Sequence, residues 1–447
     1  MRHKKFFPYI IAILLFVLGY FLTALVFPKN LNRYPGLIII VLLELYLWFF
    51  VKRKVFVYHF WIRSALILLY WLPLFALGLS TIVSVYLPSN LWNQTFTIYL
   101  YGFIFVFYIS KLIPAVILLI YKLISSFKRL LKIVFGRTVR KESEESSRMT
   151  RAKFIENIAF VSGGIMLGSL ITGMFKWVHD FRIYRISVPI SGLSSSFNGF
   201  KIVQLSDMHL GSWTSEESLQ QVIDLINAEE ADLVVFTGDL VNYATEEAIR
   251  FKEILGGIKS ENGVLTILGN HDYGDYTRWP SASAKKQNMK DLYRFYQEIG
   301  WKLLRNENTI LERNGDKIGI IGVENWGSNP RFPQLGDIHK ASVGMGDVSA
   351  KILLSHDPSH WKHVVLQQFN DIDLMLAGHT HGFQFGIEIP GIKWSPAQYI
   401  YNEWAGLYTD ASTGQKLYVN RGIGSIGYPG RIGILPEITV ITLQSDI

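Results

Sequence analysis

The chain has 447 residues, no cysteine and a hydrophobic fraction of 49%, so it is longer than one ordinary domain and can form neither disulfides nor thiolate metal sites. Residues 1–176 carry 21 Lys+Arg and 5 Asp+Glu, whereas residues 177–447 carry 23 Lys+Arg and 31 Asp+Glu. The second part is therefore acidic, with a net charge of −8 (23 minus 31), and it lacks the basic surface that nucleic acid binding requires.

The first part contains four apolar stretches that are long enough to cross a bilayer, which needs about 20 residues. Their approximate limits are residues 6–27, 35–51, 61–87 and 96–121. Residues 1–122 are therefore predicted to form an all-α transmembrane bundle, followed by a basic cytoplasmic linker at 123–153. A fifth membrane segment is predicted within residues 154–176, where the glycine-rich apolar stretch 158–175 lies.

The distribution of Lys and Arg predicts how the bundle is oriented, because cytoplasmic loops carry an excess of these residues. The N-terminal tail has three of them, residues 52–63 have four and residues 122–153 have ten, whereas the loop around Ser89 has none. The N-terminus is therefore expected in the cytoplasm. If residues 158–175 cross the membrane, the acidic second part is extracytoplasmic; if they lie in the interface or pack on the bundle, it is cytoplasmic.

Two ionisable residues, Glu44 and Lys111, lie within the predicted spans. Charged side chains are costly inside a bilayer unless they find a partner. Both spans are predicted to run in the same direction, which places the two residues at comparable depth. We therefore expect a structural ion pair between Glu44 and Lys111.

From residue 177 onward, short apolar runs alternate with helical patterns such as residues 216–230 and 357–369. The runs have the length of buried strands. They are residues 201–206, 231–238, 263–269, 317–323, 350–355, 372–378 and 416–420. Continuous apolar runs are typical of strands that are covered on both faces, so residues 177–447 are predicted to form a layered α/β domain.

Polar clusters follow five of these runs, at the strand ends where open α/β sheets place their ligand crevice. The seven candidate metal ligands are Asp207, His209, Asp239, Asn270, His356, His379 and His381. One such cluster alone is explained by an ordinary polar turn, but five together indicate a shared site. Oxygen and imidazole ligands suit hard to borderline divalent ions, and seven of them suit two ions better than one.

The ordered motifs DMH, GD, GNHD, a single His and GHTH resemble those of the calcineurin-like metallophosphoesterase family, in its membrane-anchored bacterial form. The similarity covers residues 201–443 and implies a four-layer α/β/β/α sandwich. It also implies the two metal sites: one held by Asp207, His209 and His381, the other by Asn270, His356 and His379, with Asp239 bridging both. His271 is then expected beside the leaving oxygen, oriented by Asp272.

The resemblance implies hydrolysis of phosphodiester or pyrophosphate bonds by a metal-bridging hydroxide, with two divalent ions as cofactors. Manganese is the preferred expectation, and Fe, Zn or Co are alternatives, because mixed N/O sites accept all of them. A lipid-linked substrate is consistent with membrane attachment. A UDP-2,3-diacylglucosamine-type pyrophosphatase requires a cytoplasmic site, whereas an extracytoplasmic site favours envelope phosphodiesters.

Two functions of other classes stay open: a membrane sensor that binds its ligand without turnover, and a transporter with an appended enzyme. The substrate-binding residues are unknown from the sequence. The aromatic loop containing Tyr273, Tyr276, Arg278 and Trp279 is expected to pack against the domain rather than to meet substrate. Two further candidates for phosphate contact, Arg421 and Arg431, are expected to be solvated at the surface.

Overall fold

A computed structural model of the chain describes residues 7–26, 28–87, 92–135 and 150–445. It divides into two compact units, Met1–Ile171 and Thr172–Ile447, and each is described by itself. The basic N-terminal tail, the loop around Ser89 and residues 136–149 of the expected basic linker lie outside the described residues.

The first unit is helical, and one helix extends from it into the second unit. The helices are α1 (Phe7–Val26), α2 (Tyr34–Val55), α3 (Phe60–Tyr86), α4 (Gln94–Val134) and α5 (Arg151–Phe175). Among the described residues, α2 to α5 each contain a segment long and apolar enough to cross a membrane, and in α1 the shorter apolar segment Phe16–Val26 stands out. The chain is therefore a multi-pass membrane protein. Helix α4 continues to Val134, beyond the end at residue 121 that hydropathy indicates for this span.

Helices α4 and α5 approach each other at a glycine. A Cβ atom added to Gly163 would lie 3.0 Å from the Ser110 carbonyl oxygen and 3.1 Å from the Pro114 ring. Small residues allow such close backbone contact between membrane helices, where packing rather than the hydrophobic effect drives association. The glycine-rich sequence of α5, which weakens its hydropathy, is thus explained in part by helix packing.

The predicted ion pair inside the bundle is confirmed. The Lys111 Nζ lies 2.7 Å and 2.9 Å from the two carboxylate oxygens of Glu44, and it also donates to the Tyr70 carbonyl oxygen at 2.8 Å. The Glu44 side chain is fully buried, and only 13% of the Lys111 side chain is exposed. The three acceptors satisfy the three N–H donors of the ammonium group.

Reversing either charge, Glu44→Lys or Lys111→Glu, is expected to destabilise the bundle by about 3–5 kcal/mol, because it leaves an uncompensated buried charge. The double reversal should recover a large part of the loss. Thermal unfolding and yield of folded protein in detergent measure both effects. The same three reversals at the exposed pair Lys252–Glu298 provide a control, for which little change is expected. A double reversal at Glu44 and Lys111 that is no more stable than either single one contradicts the pairing.

The second unit contains two sheets and a small hairpin. Its strands are β1 (Arg182–Ile190), β2 (Lys201–Leu205), β3 (Leu233–Phe236), β4 (Val264–Thr266), β5 (Trp301–Leu303), β6 (Glu307–Arg313), β7 (Asp316–Gly322), β8 (Lys351–Leu354), β9 (Leu374–Ala377), β10 (Ile387–Ile389), β11 (Ile392–Trp394), β12 (Gly406–Thr409), β13 (Lys416–Val419) and β14 (Glu437–Ser445). Its further helices are α6 (Glu216–Asn227), α7 (Glu246–Ile249), α8 (Lys252–Leu255), α9 (Ala282–Glu298), α10 (Ile338–Ala341) and α11 (Leu366–Gln368). All seven strands expected from apolar runs are present.

The two six-stranded sheets have the orders β1-β14-β2-β3-β4-β5 and β12-β13-β9-β8-β7-β6. Their facing sides share one apolar core, which includes Ile202 and Val235 of the first sheet and Ile320 and Leu376 of the second. A second core covers the outer face of the first sheet with α6 and α9, and a third core covers the other outer face. This is the expected four-layer α/β/β/α arrangement.

One helical prediction is confirmed with a change in its centre. The segment predicted at residues 357–369 is helical over 359–368, but Trp361–Val365 form a π-helical turn before the short α11. The Asp357 side chain accepts the Ser359 N–H at 2.8 Å, so it caps a local turn at the start of this segment. A π-helical turn is wider than an α-helical one and often occurs near functional sites.

Candidate metal centre

The topology brings the predicted site residues to one rim. Strands β2, β3 and β4 are parallel neighbours, as are β8 and β9, so their carboxyl ends point the same way within each sheet. The polar turns directly follow these five ends. The structure places all seven candidate ligands there: Asp207, His209, Asp239, Asn270, His356, His379 and His381.

The side chains form two groups. In the first, His381 Nε2 lies 3.1 Å from Asp207 Oδ1 and 3.0 Å from His209 Nε2. In the second, His356 Nε2 lies 3.2 Å from Asp239 Oδ2 and 3.3 Å from His379 Nδ1. Within each group the potential ligand atoms all lie within 4.8 Å of one another, close enough to hold one metal ion.

The Asp239 carboxylate lies between the two groups. Its Oδ2 atom is 3.2 Å from His356 Nε2 and 3.6 Å from His209 Nε2. Its other oxygen accepts the backbone N–H of His271 at 2.8 Å. One oxygen of this carboxylate therefore faces members of both groups, which is the arrangement that a bridging ligand requires.

Asn270 provides an independent test of whether a cation fits this site. Its amide nitrogen donates to the Tyr276 hydroxyl at 2.8 Å, but its buried Oδ1 atom has no hydrogen-bond partner. A buried amide oxygen without a donor costs about 1–3 kcal/mol. A hard divalent cation is a partner that such an oxygen accepts, so the residue fits the ligand role that the sequence predicts.

The imidazole rings are held in the orientation that metal binding needs. His356 Nδ1 donates to the Thr237 carbonyl at 2.7 Å, and His209 Nδ1 is 3.1 Å from Asn242 Oδ1. These contacts direct the Nε2 lone pair of each ring towards the other members of its group. Metal-binding histidines are commonly oriented in this way, by a hydrogen bond of the ring nitrogen that does not bind the metal. Similarly, His379 contacts the Tyr401 hydroxyl through Nε2 at 2.8 Å, which leaves Nδ1 for the second group.

The electrostatic environment differs between the imidazoles of the two groups. Burial by itself lowers the pKa of His356, but the nearby carboxylates of Asp239 and Asp207 outweigh it and raise the pKa to about 10. Burial, together with the Asp239 charge, raises the pKa of Asp272 to about 7. Burial, by contrast, outweighs the Asp239 charge at His209 and lowers the pKa of that ring to about 3. The buried carboxylates of Asp207 and Asp239 add negative charge to the centre, which favours cation binding.

Backbone strain is concentrated in the same turns. Five of the seven candidate ligands adopt the left-handed conformation that L residues rarely occupy: Asp207 (φ 52°), His209 (φ 47°), Asp239 (φ 60°), His379 (φ 72°) and His381 (φ 50°). Each costs roughly 1–2 kcal/mol. Such strain persists where the surrounding fold enforces it and is common at functional sites. Gly378 allows this packing, because a Cβ there would collide with Ser206 Oγ.

The role expected for Asp272 needs correction. Its buried carboxylate accepts four backbone N–H groups, those of Asp239, Leu240, Val241 and Gly269, at 2.8–3.3 Å. The His271 ring instead contacts the Asn242 carbonyl through Nδ1 at 2.8 Å. Asp272 therefore fixes the turn that carries Asp239, and a main-chain oxygen orients His271. The physical reason is that one carboxylate can accept several hydrogen bonds, so Asp272 satisfies these main-chain donors of the buried turn.

A cavity of about 190 Å³ opens beside the two groups. Its walls are formed by His209, Asp239, Asn270, His271, Tyr276, Phe332, His379, His381 and Ile426. The Tyr276 ring packs on His271 with a centroid distance of 4.2 Å, and the Phe332 edge meets His379 at 4.8 Å. Neither Lys nor Arg is among the described residues that line it.

The arginines differ from expectation, and the aromatic loop packs as expected at Tyr273 but not at Tyr276. Tyr276 lines the cavity, whereas Tyr273 is buried and its hydroxyl accepts the Asn325 N–H. Arg421 and Arg431 are not solvated at the surface, because both are buried. Arg421 pairs with Glu437 and Glu388, and Arg431 donates to main-chain carbonyls, including that of Gly422 at 2.9 Å. Both arginines stabilise the segment that lies beside the GHTH turn.

Three residues near the metal centre could not be predicted as site residues, because they lie outside the sequence motifs. Asn242 contacts His209 and His271, Tyr401 contacts His379, and Phe332 closes one wall of the cavity. All three lie on loops outside the five motifs. Only the tertiary contacts identify them.

Comparison with known proteins links these features to families. The family model described as calcineurin-like phosphoesterase matches residues 200–383, and one described as the transmembrane domain of a probable calcineurin-like phosphoesterase matches residues 31–177. The uncharacterized metallophosphoesterase YkuE of Bacillus subtilis is 32% identical over 312 residues, which cover 67% of this chain and 99% of YkuE.

Two other relatives differ in length and name. A transmembrane protein with metallophosphoesterase domain from Danio rerio is 32% identical over 280 residues, which cover 61% of this chain and 60% of the relative. This chain thus spans less than two thirds of that protein's length. The UDP-2,3-diacylglucosamine pyrophosphatase LpxG of Chlamydia trachomatis is 27% identical over 321 residues, which cover 59% of this chain and 93% of LpxG.

Proposed function

Because this chain belongs to the calcineurin-like metallophosphoesterase family, we propose that it is a membrane-anchored hydrolase that cleaves phosphodiesters with two divalent metal ions. The observation that carries the proposal is the pair of ligand groups that share the Asp239 carboxylate. We assign Asp207, His209 and His381 to one ion, Asn270, His356 and His379 to the other, and Asp239 to both. Bound cations would supply Lewis-acid polarisation of phosphoryl oxygens and activation of water.

His271 is the proposed proton donor. Its Nδ1–H donates to the Asn242 carbonyl, so the imidazolium form of the ring carries its second proton on Nε2 and can give that proton to a leaving oxygen in the cavity. Tyr276 restricts the ring by packing against it. Asp272 acts indirectly, since it holds the turn that presents Asp239 and the His271 main chain.

The cavity lining favours a diester over a monoester. A phosphate monoester carries up to two negative charges near neutral pH and is commonly bound by Arg or Lys. The described lining offers aromatic and aliphatic surface instead, from Tyr276, Phe332 and Ile426. A singly charged diester with an apolar substituent matches that surface better.

A pyrophosphatase acting on a UDP-2,3-diacylglucosamine-type precursor is the second candidate, and similarity to LpxG favours it. That substrate requires a cytoplasmic site. The distribution of Lys and Arg, with α1 and α5 both crossing, supports an extracytoplasmic catalytic domain and a cytoplasmic N-terminus, which we propose. Since the chain has no cysteine, labelling of an introduced Ser412→Cys by a membrane-impermeant maleimide on intact cells decides the side: absence of labelling contradicts the proposal.

Metal removal tests the function. The full chain in lipid nanodiscs should hydrolyse bis(p-nitrophenyl) phosphate, lose this activity after chelation and regain it with two equivalents of Mn²⁺ per chain. We propose Mn as the native metal, and Fe(II), Zn and Co reloaded in parallel test that choice. Tight metal binding without turnover of any diester or UDP-sugar pyrophosphate would contradict the hydrolase and support a ligand-binding sensor.

A further inference from the structure

Exposed apolar side chains are concentrated in one segment of the catalytic unit. In its described part, 14 large hydrophobic residues are exposed, and seven of them lie within residues 383–407. These seven are Phe383, Ile387, Ile389, Ile392, Tyr399, Ile400 and Leu407. Single exposed apolar residues are ordinary, but a contiguous group marks a surface that meets an apolar partner.

The β10–β11 hairpin shows this most clearly. In a water-soluble domain the apolar face of a hairpin usually packs against the protein, but here the apolar face is exposed. Ile389 pairs with Ile392 and Ile387 with Trp394, so these four side chains share one face. The three isoleucines are 48–55% exposed. The apolar face of the hairpin therefore points outward.

The charged pair of the same hairpin lies on the opposite face and is used internally. Glu388 pairs with Lys393 across the strands. Glu388 accepts from the buried Arg421 at 2.5 Å, and Lys393 donates to the Ala405 carbonyl at 2.6 Å. Both charges are thus directed towards the protein, where they hold the hairpin in place with its isoleucines exposed.

The hairpin is joined to the last turn of a membrane helix. Residues 172–175 end α5 and belong to the catalytic unit, where the Gly173 carbonyl accepts the Arg431 N–H at 3.2 Å. The next residue, Ile432, exchanges main-chain hydrogen bonds of 2.8 Å and 2.9 Å with Gln384 and Gly386. Gly386 directly precedes β10. Main-chain hydrogen bonds of Arg431 and Ile432 therefore connect the end of α5 to the segment that begins the hairpin with the exposed isoleucines.

The same segment is also joined to the metal centre. Ser395, which follows β11, donates at 2.7 Å to the carbonyl of Gly382, the residue directly after the GHTH motif. Tyr401 contacts His379, and the 55% exposed Phe383 lies two residues from His381. A surface that contacts the apolar face of the hairpin therefore lies close to the mouth of the cavity.

We propose that the apolar face formed by Ile387, Ile389, Ile392 and Trp394 rests in the interfacial region of the lipid bilayer. Isoleucine and tryptophan are typical of interfacial contact surfaces. Continuity with the end of α5 favours lipid over another protein as the partner. We further infer that the hairpin presents the metal centre to an amphiphilic phosphodiester that resides in the bilayer. This inference rests on the proposed function.

Fluorophore labelling tests the contact in the full chain. The protein contains no cysteine, so Ile389→Cys, Ile392→Cys and the control Val343→Cys, which is 74% exposed outside the segment, each give one labelling site. The labelled proteins are reconstituted in phosphatidylethanolamine and phosphatidylglycerol vesicles. Labels at 389 and 392 should be quenched by doxyl lipids and protected from iodide, and the label at 343 should behave in the opposite way.

Two results overturn the contact. If iodide quenches the labels at 389 and 392 as strongly as the label at 343, the hairpin faces water. If neither quencher reaches them, the face is covered by protein, either a second copy or the chain's own helices. Neither result depends on catalysis.

Activity measurements test the substrate. The triple variant Ile387→Ser, Ile389→Ser, Ile392→Ser should cleave hexadecyl p-nitrophenyl phosphate in vesicles on the order of tenfold more slowly than the unsubstituted chain. Cleavage of soluble methyl p-nitrophenyl phosphate should be unchanged. The control triple Ile249→Ser, Ile310→Ser, Val343→Ser should change the rate with neither substrate.

Equal rates of both triple variants on the vesicle substrate overturn the substrate inference. Lipid quenching in a chain that cleaves neither diester leaves the contact supported and overturns the proposed function instead.

Discussion

Replacing Asp239 by Asn is expected to lower kcat/KM for bis(p-nitrophenyl) phosphate by on the order of 10³-fold, equivalent to about 4 kcal/mol of transition-state stabilisation. The substitution keeps the size of the side chain, and Asn tolerates the left-handed backbone at this position (φ 60°). It removes a negative charge that faces both ligand groups. The metal content per chain should fall with the activity, which elemental analysis of the purified full chain measures.

The exposed Asp347 provides the matched control, since Asp347→Asn makes the same chemical change away from the centre and should leave both quantities unaltered. Thermal unfolding of the two variants separates loss of metal from loss of fold. An Asp239→Asn protein that keeps two metals and more than a tenth of the activity contradicts the bridging role.

Replacing His271 by Ala is expected to lower kcat by about 10²–10⁴-fold, the usual contribution of a general acid. Metal content should be retained, because the ring is held by the Asn242 carbonyl and Tyr276 and belongs to neither ligand group. The loss should grow as the leaving phenol becomes less acidic, since poor leaving groups depend most on proton donation. Rates with a series of aryl phosphodiesters, from nitrophenyl to phenyl, measure this dependence.

A purely structural role for His271 would lower all of these rates by the same factor. The exposed His363 serves as the control, and His363→Ala should change neither the rates nor their dependence on the leaving group. Equal losses across the series for His271→Ala would therefore assign the residue to positioning rather than to proton transfer.

Several features could be predicted because they depend on residues that are close in sequence. Continuous apolar runs of strand length indicated β2, β3, β4, β7, β8, β9 and β13, and strands buried on both faces leave this pattern whatever their neighbours are. The Glu44–Lys111 pair could be predicted because two lone charges in apolar spans have few alternative partners.

Contacts between distant loops could not be predicted in this way. Asn242, Tyr401 and Phe332 reach the centre from segments without a motif, and Asp272 binds four main-chain N–H groups instead of the neighbouring His271 ring. The arginines near the C-terminus illustrate the same limit. Arg421 and Arg431 look like surface residues in sequence, but buried carboxylates and carbonyl oxygens compensate their charges in the fold.

The sequence by itself determined the membrane helices, the layered α/β domain and the identity of the seven candidate ligands, because hydropathy, strand length and ligand chemistry are properties of local stretches. The family resemblance implied how these ligands divide into two groups, but only the tertiary structure places them together, since Asp207 and His381 are 174 positions apart and meet through the order of the strands. It also decided which face of the β10–β11 hairpin is exposed. Alternation along a strand defines two faces, but only the partners of Glu388 and Lys393 fix which one turns outward.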